Sequence, residues 1–222
     1  MLKQIFQAFA RKDVVHDLSA QIGEMIDAAH WMFDRASEAL LGKVKVDEIS
    51  DQLYAKDREI NHLEQKIREQ IMTHLTVGHE GDLAPCLVLM SLVKDAERIG
   101  DYCKNIFEVG KFRAAEFKHQ EFAQPLDDIR QKIADLFEPV KQALIHSDAK
   151  AAKSLRDTAR ELSNKCDMIV QQLLRLEGEF PASEAVMYSL LARHYKRVEA
   201  HLSNIVIGII SPVPLLDFLK RN

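Results

Sequence analysis

Six long stretches of this chain repeat apolar residues at positions i, i+3, i+4 and i+7, and few helix-breaking residues interrupt them. The 222 residues include eight glycines and six prolines, and most of these lie where one stretch ends and the next begins. This spacing gives an α-helix one apolar face, and no stretch shows the strict alternation of a half-buried strand. The pattern therefore predicts an all-α protein whose six helices span residues 14–41, 47–77, 82–117, 125–145, 148–176 and 182–210.

Each predicted helix has an inner face that can be named from the sequence. In the first helix this face is continuous over its whole length. Its members are Leu18, Ile22, Met25, Ile26, Ala29, Phe33, Ala36 and Leu40.

A weak internal repeat relates the first three helices to the last three. When the sixth helix is aligned with the third, Arg98 meets Arg197 and Asn105 meets Asn204 at one offset. Aligning the fifth helix with the second requires nearly the same offset, which shared helical periodicity alone does not explain. We predict an up-down bundle of two tandem three-helix repeats.

The repeat sets the expected domain boundaries. An amphipathic N-terminal segment covers residues 1–12, the first repeat covers 13–117, and the second covers 118–222. The short first segment has alternating polar residues where a signal peptide would have a continuous apolar region.

Composition excludes several classes of function. A net charge of −4 and an isoelectric point near 6.1 argue against binding to nucleic acid. The three cysteines are far apart in sequence and resemble no redox or zinc motif, which favours reduced thiols in the cytoplasm. No apolar stretch reaches the ~20 residues that span a bilayer, so we expect a soluble cytoplasmic protein.

The third helix carries a pair of carboxylates one turn apart, Glu97 and Asp101, away from its apolar line. Two carboxylates at this spacing repel each other unless a positive charge lies beside them. Lys94 and Lys104 stand three residues before and three after the pair, so the four side chains could form a solvated ladder of ion pairs. A hard metal cation bound by several carboxylates is the other interpretation.

The residues around this pair resemble the signature of a known family. The run DAERIGDYCKNI is similar to the PhoU signature, in which an acidic residue, three variable residues and an aspartate are followed by Asn-Ile; here these are Glu97, Asp101, Asn105 and Ile106. The resemblance covers nearly the whole chain. It implies an all-helical protein of two related halves that acts as an accessory regulator of phosphate transport and phosphate-dependent signalling.

The resemblance also implies a metal site on the acidic motif of the first repeat. Glu97 and Asp101 would be joined there by Asp57 and Glu64 of the second helix, with iron, zinc, magnesium and calcium as candidate ions. The second helix departs from the family pattern at Asn61, where aspartate is common, and this departure would weaken the site.

The second repeat lacks the acidic pair altogether. Lys196 and Ala200 stand where the motif requires carboxylates, so one ligand is replaced by a cation and the other is deleted. We therefore expect a metal, if one binds, only on the first repeat.

The chain contains no motif of a hydrolase, a phosphate-binding loop or a dinucleotide-binding fold, so we predict that it is not an enzyme. The resemblance implies binding to the cytoplasmic face of a phosphate transporter or to a sensor histidine kinase, with Arg98 and Asn105 as partner-binding residues. Membrane association would occur only through these partners. A homodimer is expected, and the apolar stretch Ile205–Phe218 is a candidate contact.

Two other functions remain open. A di-metal oxidase of the ferritin type would use Glu59 with His62 and Asp27 with His30, although the position of His62 relative to Ile60 places it away from the core. A metal-free helical scaffold is the second alternative. His194 and His201 share one helix face, but no carboxylate of their own helix lies at a matching spacing, so we expect them to pack at a surface or interface.

Overall fold

The computed structural model describes residues 2–112 and 117–211, with side chains from residue 14 onward except that of Glu80. Its described residues form six α-helices and a short 3₁₀ turn, and they contain no strand. The all-α prediction is therefore confirmed. The helices are α1 (Leu2–Leu40), α2 (Val46–Thr76), α3 (Leu83–Lys111), α4 (Gln120–His146), α5 (Ala149–Leu174) and α6 (Ala182–Ile210).

The helices pack as two groups of three that meet along two seams. Within each group every helix touches the other two, and between the groups α3 packs on α6 and α1 packs on α4. Both seams join helices that occupy the same position in the two predicted repeats. This pairing agrees with a duplicated bundle, while the predicted domain division itself stays a prediction.

A single apolar core runs through both groups of helices. All eight residues predicted for the inner face of α1 are buried in it. Burial of one such aliphatic or aromatic side chain contributes about 1.5–3 kcal/mol, so the periodic apolar face is what holds α1 in place.

Two helix starts differ from the sequence-based prediction. No glycine or proline lies between Leu2 and Val14, and α1 continues through the predicted N-terminal segment to Leu2. The fourth helix was expected to begin at Pro125, but α4 begins at Gln120. Phe122 is buried against Phe180 and Tyr188, with ring centroids 5.8 and 5.7 Å apart, and this packing holds the extra turn in the helix.

Other boundaries agree more closely. Asp148 caps α5 as predicted, because its Oδ1 accepts hydrogen bonds from the backbone N–H groups of Lys150 and Ala151 at 2.9 and 3.0 Å. The predicted end of the third helix at residue 117 is too late, since α3 ends at Lys111.

The C-terminal stretch proposed as a dimer contact is only partly described. Ile205 and Val206 are buried in the core, and residues 212–218 lie outside the described part of the chain. Among the described helices, none has a stretch long and apolar enough to span a bilayer.

Candidate functional site

At Gly100, α3 packs against α2 with no side chain of its own between the two helices. An ideal Cβ on Gly100 would lie 3.1 Å from Ile60 Cδ1 and 4.0 Å from Asp57 Oδ1. Because Gly100 carries only a hydrogen, the polar side chains of α2 lie next to those of α3. Carboxylates from the two helices therefore share one face.

The four predicted metal ligands all lie on this face, which we call the acidic face: Asp57, Glu64, Glu97 and Asp101. Three of them are nearly buried, with side chains 13%, 10% and 13% exposed for Asp57, Glu64 and Glu97, while Asp101 is 31% exposed. The structure thus brings the four carboxylates onto one face, and their role as metal ligands stays a prediction.

A lysine lies between the two aspartates of the acidic face. Lys104 Nζ is 2.8 Å from Asp57 Oδ1 on α2 and 3.0 Å from Asp101 Oδ1 on its own helix. Burial lowers the pKa of Lys104, but its hydrogen bonds to the two aspartates raise that pKa further, and the net shift is upward. The ammonium is therefore held charged between the helices.

The two glutamates of the acidic face also have cationic neighbours. Lys94 Nζ donates to Glu97 Oε2 at 2.6 Å and lies 3.9 Å from Glu64 Oε1. Arg68 Nη2 lies 2.8 Å from the same oxygen of Glu64. The ladder of ion pairs considered from the sequence is present, and it extends across to α2.

The side chains as they lie do not fit a metal ion. Within the described part of the chain, no group of three or more His, Cys, Asp and Glu side chains is arranged to hold one. The carboxylates of the acidic face point at ammonium and guanidinium groups instead. The iron, zinc, magnesium or calcium ion implied by the family resemblance stays a prediction.

The four side chains considered for a di-metal oxidase also form no metal-holding group among the residues that the structure describes. Glu59 and His62 are exposed on α2. On α1, Asp27 bonds to Lys141 of α4 at 2.9 Å, and the ring of His30 stacks on Phe137.

The two predicted partner-binding residues lie on the same side of α3. The side chain of Arg98 is 49% exposed, and its Nη1 lies 3.3 Å from Asp101 Oδ2. Asn105, two turns further on, lines a groove of about 1000 Å³ between the end of α3 and the start of α6. Phe112 and Val186 line the same groove and are 86% and 58% exposed.

Sequence reasoning missed one polar cluster, which lies at the seam between α3 and α6. Asp95 is buried there, and its Oδ1 accepts a hydrogen bond from Asn204 Nδ2 at 2.9 Å and lies 2.8 Å from His201 Nδ1. The ring of Tyr102 stacks on His201 at 5.6 Å. Spacing along the sixth helix offered no carboxylate for His201, because its partner, Asp95, belongs to another helix.

The second group of helices uses its lysine differently from the first. Lys196 of α6 occupies the position that corresponds to Glu97 and bonds to Asp167 of α5. Ala200, which corresponds to Asp101, is buried. The helix-to-helix polar contact is retained here with a single carboxylate.

Comparison with known proteins gives consistent results. The PhoU domain model matches residues 22–109. The phosphate-specific transport system accessory protein PhoU homolog 1 of Thermotoga maritima is 28% identical over 206 residues, which cover 90% of this chain and 85% of that protein. The PhoU homolog of Aquifex aeolicus is 26% identical over 82% of this chain and 83% of its own length.

Solved structures share the fold. PhoU from Pseudomonas aeruginosa superimposes with a TM-score of 0.77 at 18% identity, covering 90% of this chain and 96% of that one. The phosphate transport system regulatory protein PhoU from Streptococcus pneumoniae gives a TM-score of 0.74 at 17% identity over 95% and 98%. The fold is thus that of the helical-bundle proteins represented by these PhoU structures. The domain model, the curated relatives and the solved structures that this chain resembles are thus all PhoU proteins.

Proposed function

We propose that this protein is an accessory regulator of phosphate uptake and phosphate-dependent signalling, which acts by binding other proteins and not by catalysis. One observation carries the proposal. The chain aligns over 90% of its length with a relative named as an accessory protein of phosphate-specific transport, and covers 85% of that relative. The proposed partners are the cytoplasmic face of a phosphate transporter or a sensor histidine kinase, and the proposed state is a cytoplasmic homodimer.

The side of α3 that carries Arg98 and Asn105 is the proposed contact surface. Arg98 presents a half-exposed guanidinium that Asp101 holds in position, and a planar guanidinium suits paired hydrogen bonds to a partner's carboxylate. The exposed side chain of Phe112 lines the same groove as Asn105 and adds apolar area to this surface. Arginine and aromatic side chains are common among the strongest contact points at protein interfaces, and this surface offers one arginine and, about 20 Å further along the helix axis, one exposed aromatic.

A genetic experiment tests the regulatory role. The gene is deleted in its native host, and phosphate uptake and a phosphate-starvation reporter are measured at high external phosphate. We expect the deletion to change the reporter and the wild-type gene to restore it. An unchanged reporter and unchanged uptake in the deletion strain would contradict the proposal.

A binding experiment tests the contact surface. The purified protein is titrated against the host's purified phosphate transporter and sensor kinase, and Arg98→Ala is compared with Arg156→Ala. Arg156 is a matched control, because it is a similarly exposed arginine on α5 that bonds to the adjacent Asp157. We expect Arg98→Ala to weaken binding about tenfold, or ~1.4 kcal/mol, and the control to bind as wild type does. Equal binding by both variants would reject this surface.

A further inference from the structure

We infer that Lys94 and Lys104 act as built-in counter-ions of the acidic face, so that lysine ammonium groups join α2 to α3 in the place where a metal ion would be expected. This role of the two lysines in joining the helices is independent of the proposed regulatory function.

Positive and negative side chains are present in equal number on the acidic face. Every carboxylate of the acidic face has a lysine or arginine nitrogen within 4 Å, supplied by Lys94, Lys104, Arg68 and Arg98. Four cations thus stand beside four anions. A divalent cation is bound most strongly where carboxylates outnumber cations, and this arrangement leaves no such excess of negative charge.

The two lysines of the acidic face bridge α2 and α3. Lys104 donates to Asp57 on α2 and to Asp101 on α3, and Lys94 lies between Glu64 on α2 and Glu97 on α3. Each ammonium therefore contacts one carboxylate from each helix. A metal ion shared by the same four side chains would make the same connection.

The ion pair between Lys104 and Asp57 is largely buried. The side chain of Lys104 is 23% exposed and that of Asp57 is 13% exposed, so water and salt screen this pair only partly. A metal ion that entered beside Lys104 would meet a fixed positive charge. Binding would require Lys104 to move out, which would break its ion pairs with Asp57 and Asp101.

The other group of helices supports this interpretation independently. Lys196 on α6 bonds to Asp167 on α5, which again places an ammonium between the second and third helices of a group. The position that corresponds to the acidic residue Glu97 has itself become the lysine. In both groups, therefore, a contact between a lysine and a carboxylate connects the second helix to the third.

The test compares metal binding in variants that remove the lysines. Wild-type protein, Lys104→Met, and the double variant Lys94→Met with Lys104→Met are freed of metal with EDTA. Manganese is then titrated while electron paramagnetic resonance measures the free ion, and thermal unfolding is followed with EDTA and with millimolar magnesium, manganese, zinc or calcium. Lys196→Met is the matched control, because it also removes an interhelical lysine but leaves Asp167 as the single carboxylate bonded there.

We expect the unfolding midpoint of the wild type to be the same with EDTA and with each ion. The double variant should bind manganese at least tenfold more tightly than wild type and should unfold at a higher temperature when the ion is present. Lys196→Met should be destabilised but should gain no response to metal. If the double variant does not fold, Lys104→Met is expected to show the same gain more weakly.

Two results would overturn the inference. One is a stoichiometric metal ion in wild-type protein, measured by elemental mass spectrometry, that is lost in Glu97→Gln with Asp101→Asn. The other is a folded double variant that matches wild type in both stability and manganese binding.

Discussion

Gly208 of α6 packs directly against Leu92 of α3 at the seam between the two groups of helices. An ideal Cβ on Gly208 would lie 2.6 Å from Leu92 Cδ2, which is closer than carbon atoms approach in folded proteins. Leu92 is 2% exposed, so it has little room to move away. The close packing of α3 on α6 therefore depends on a missing methyl group.

This contact predicts that Gly208→Ala destabilises the protein. Overpacking of a core costs about 1–3 kcal/mol, and the better helix propensity of alanine offsets about 1 kcal/mol, so we expect a net loss of up to about 2 kcal/mol in the free energy of unfolding. Urea denaturation measures it. Gly23→Ala is the control, since its Cβ would meet flexible atoms of Ile145 and Lys141 at 3.2 and 3.3 Å. Equal stability of the two variants would show that the seam tolerates the methyl group.

The buried cluster at the same seam predicts a large effect of removing Asp95. Asp95→Ala leaves His201 and Asn204 without their shared acceptor, and we expect a loss of about 2–3 kcal/mol in the free energy of unfolding. Asp95→Asn keeps an acceptor oxygen and should lose less. The exposed Asp157 on α5 is the control, with an expected change of about 0.5 kcal/mol or less for Asp157→Ala. A loss no greater than that in Asp95→Ala would contradict the role of this cluster.

Glu184 at the start of α6 predicts a dependence of stability on acid pH. His119 Nδ1 lies 2.7 Å from its Oε2 and Tyr188 donates to the same oxygen, and these hydrogen bonds hold the pKa of Glu184 below its usual value of 4.5. A lowered carboxyl pKa contributes stability that is fully present above 4.5 and is lost as the pH falls through the native-state pKa. The difference in unfolding free energy between wild type and Glu184→Gln should therefore be largest above pH 4.5 and should shrink below it.

Urea unfolding from neutral pH into the acid range measures this difference. Glu161→Gln, at an exposed position on α5, serves as the control and should give a difference that changes little with pH. A Glu184→Gln difference that also stays constant would show that the contact with His119 does not stabilise the fold.

The three cysteines are predicted to be unreactive in the native protein. All three are buried, and burial is the main cause that raises their pKa values; that of Cys166 rises from 9.0 to about 12. The thiolate is the reactive form, and a shift of this size reduces its population about a thousandfold. A chromogenic thiol reagent should label native protein far more slowly than urea-unfolded protein, in which all three thiols should react. Rapid labelling of any thiol in the native state would show that its helix opens.

The sequence was most informative where the structure depends on neighbouring residues. The predicted span of the sixth helix matches α6 at both ends, and the cap at Asp148 was found because capping involves atoms only two or three residues apart. The start of α4 was missed because Phe122 is held by Phe180 and Tyr188, which lie more than fifty residues away in the chain. No local pattern contains that information.

The same distinction applies to the candidate site. Helical spacing put Glu97 and Asp101 on one face with a lysine on either side, and an ion-pair ladder was already one of two interpretations. Which interpretation the side chains favour depends on how closely α2 approaches α3 at Gly100, and therefore on whether Lys104 reaches Asp57. The pairing of Asp95 with His201 likewise needs the antiparallel contact of α3 with α6.

By itself, the sequence determined that this protein is a bundle of six helices and which side of each helix faces the core, since both follow from the periodic burial of apolar side chains along a single helix. Only the tertiary structure decided which charges meet. Polar contacts act over 3 to 4 Å, so a lysine can neutralise a carboxylate of another helix only after the packing of the two backbones has set the distance between them.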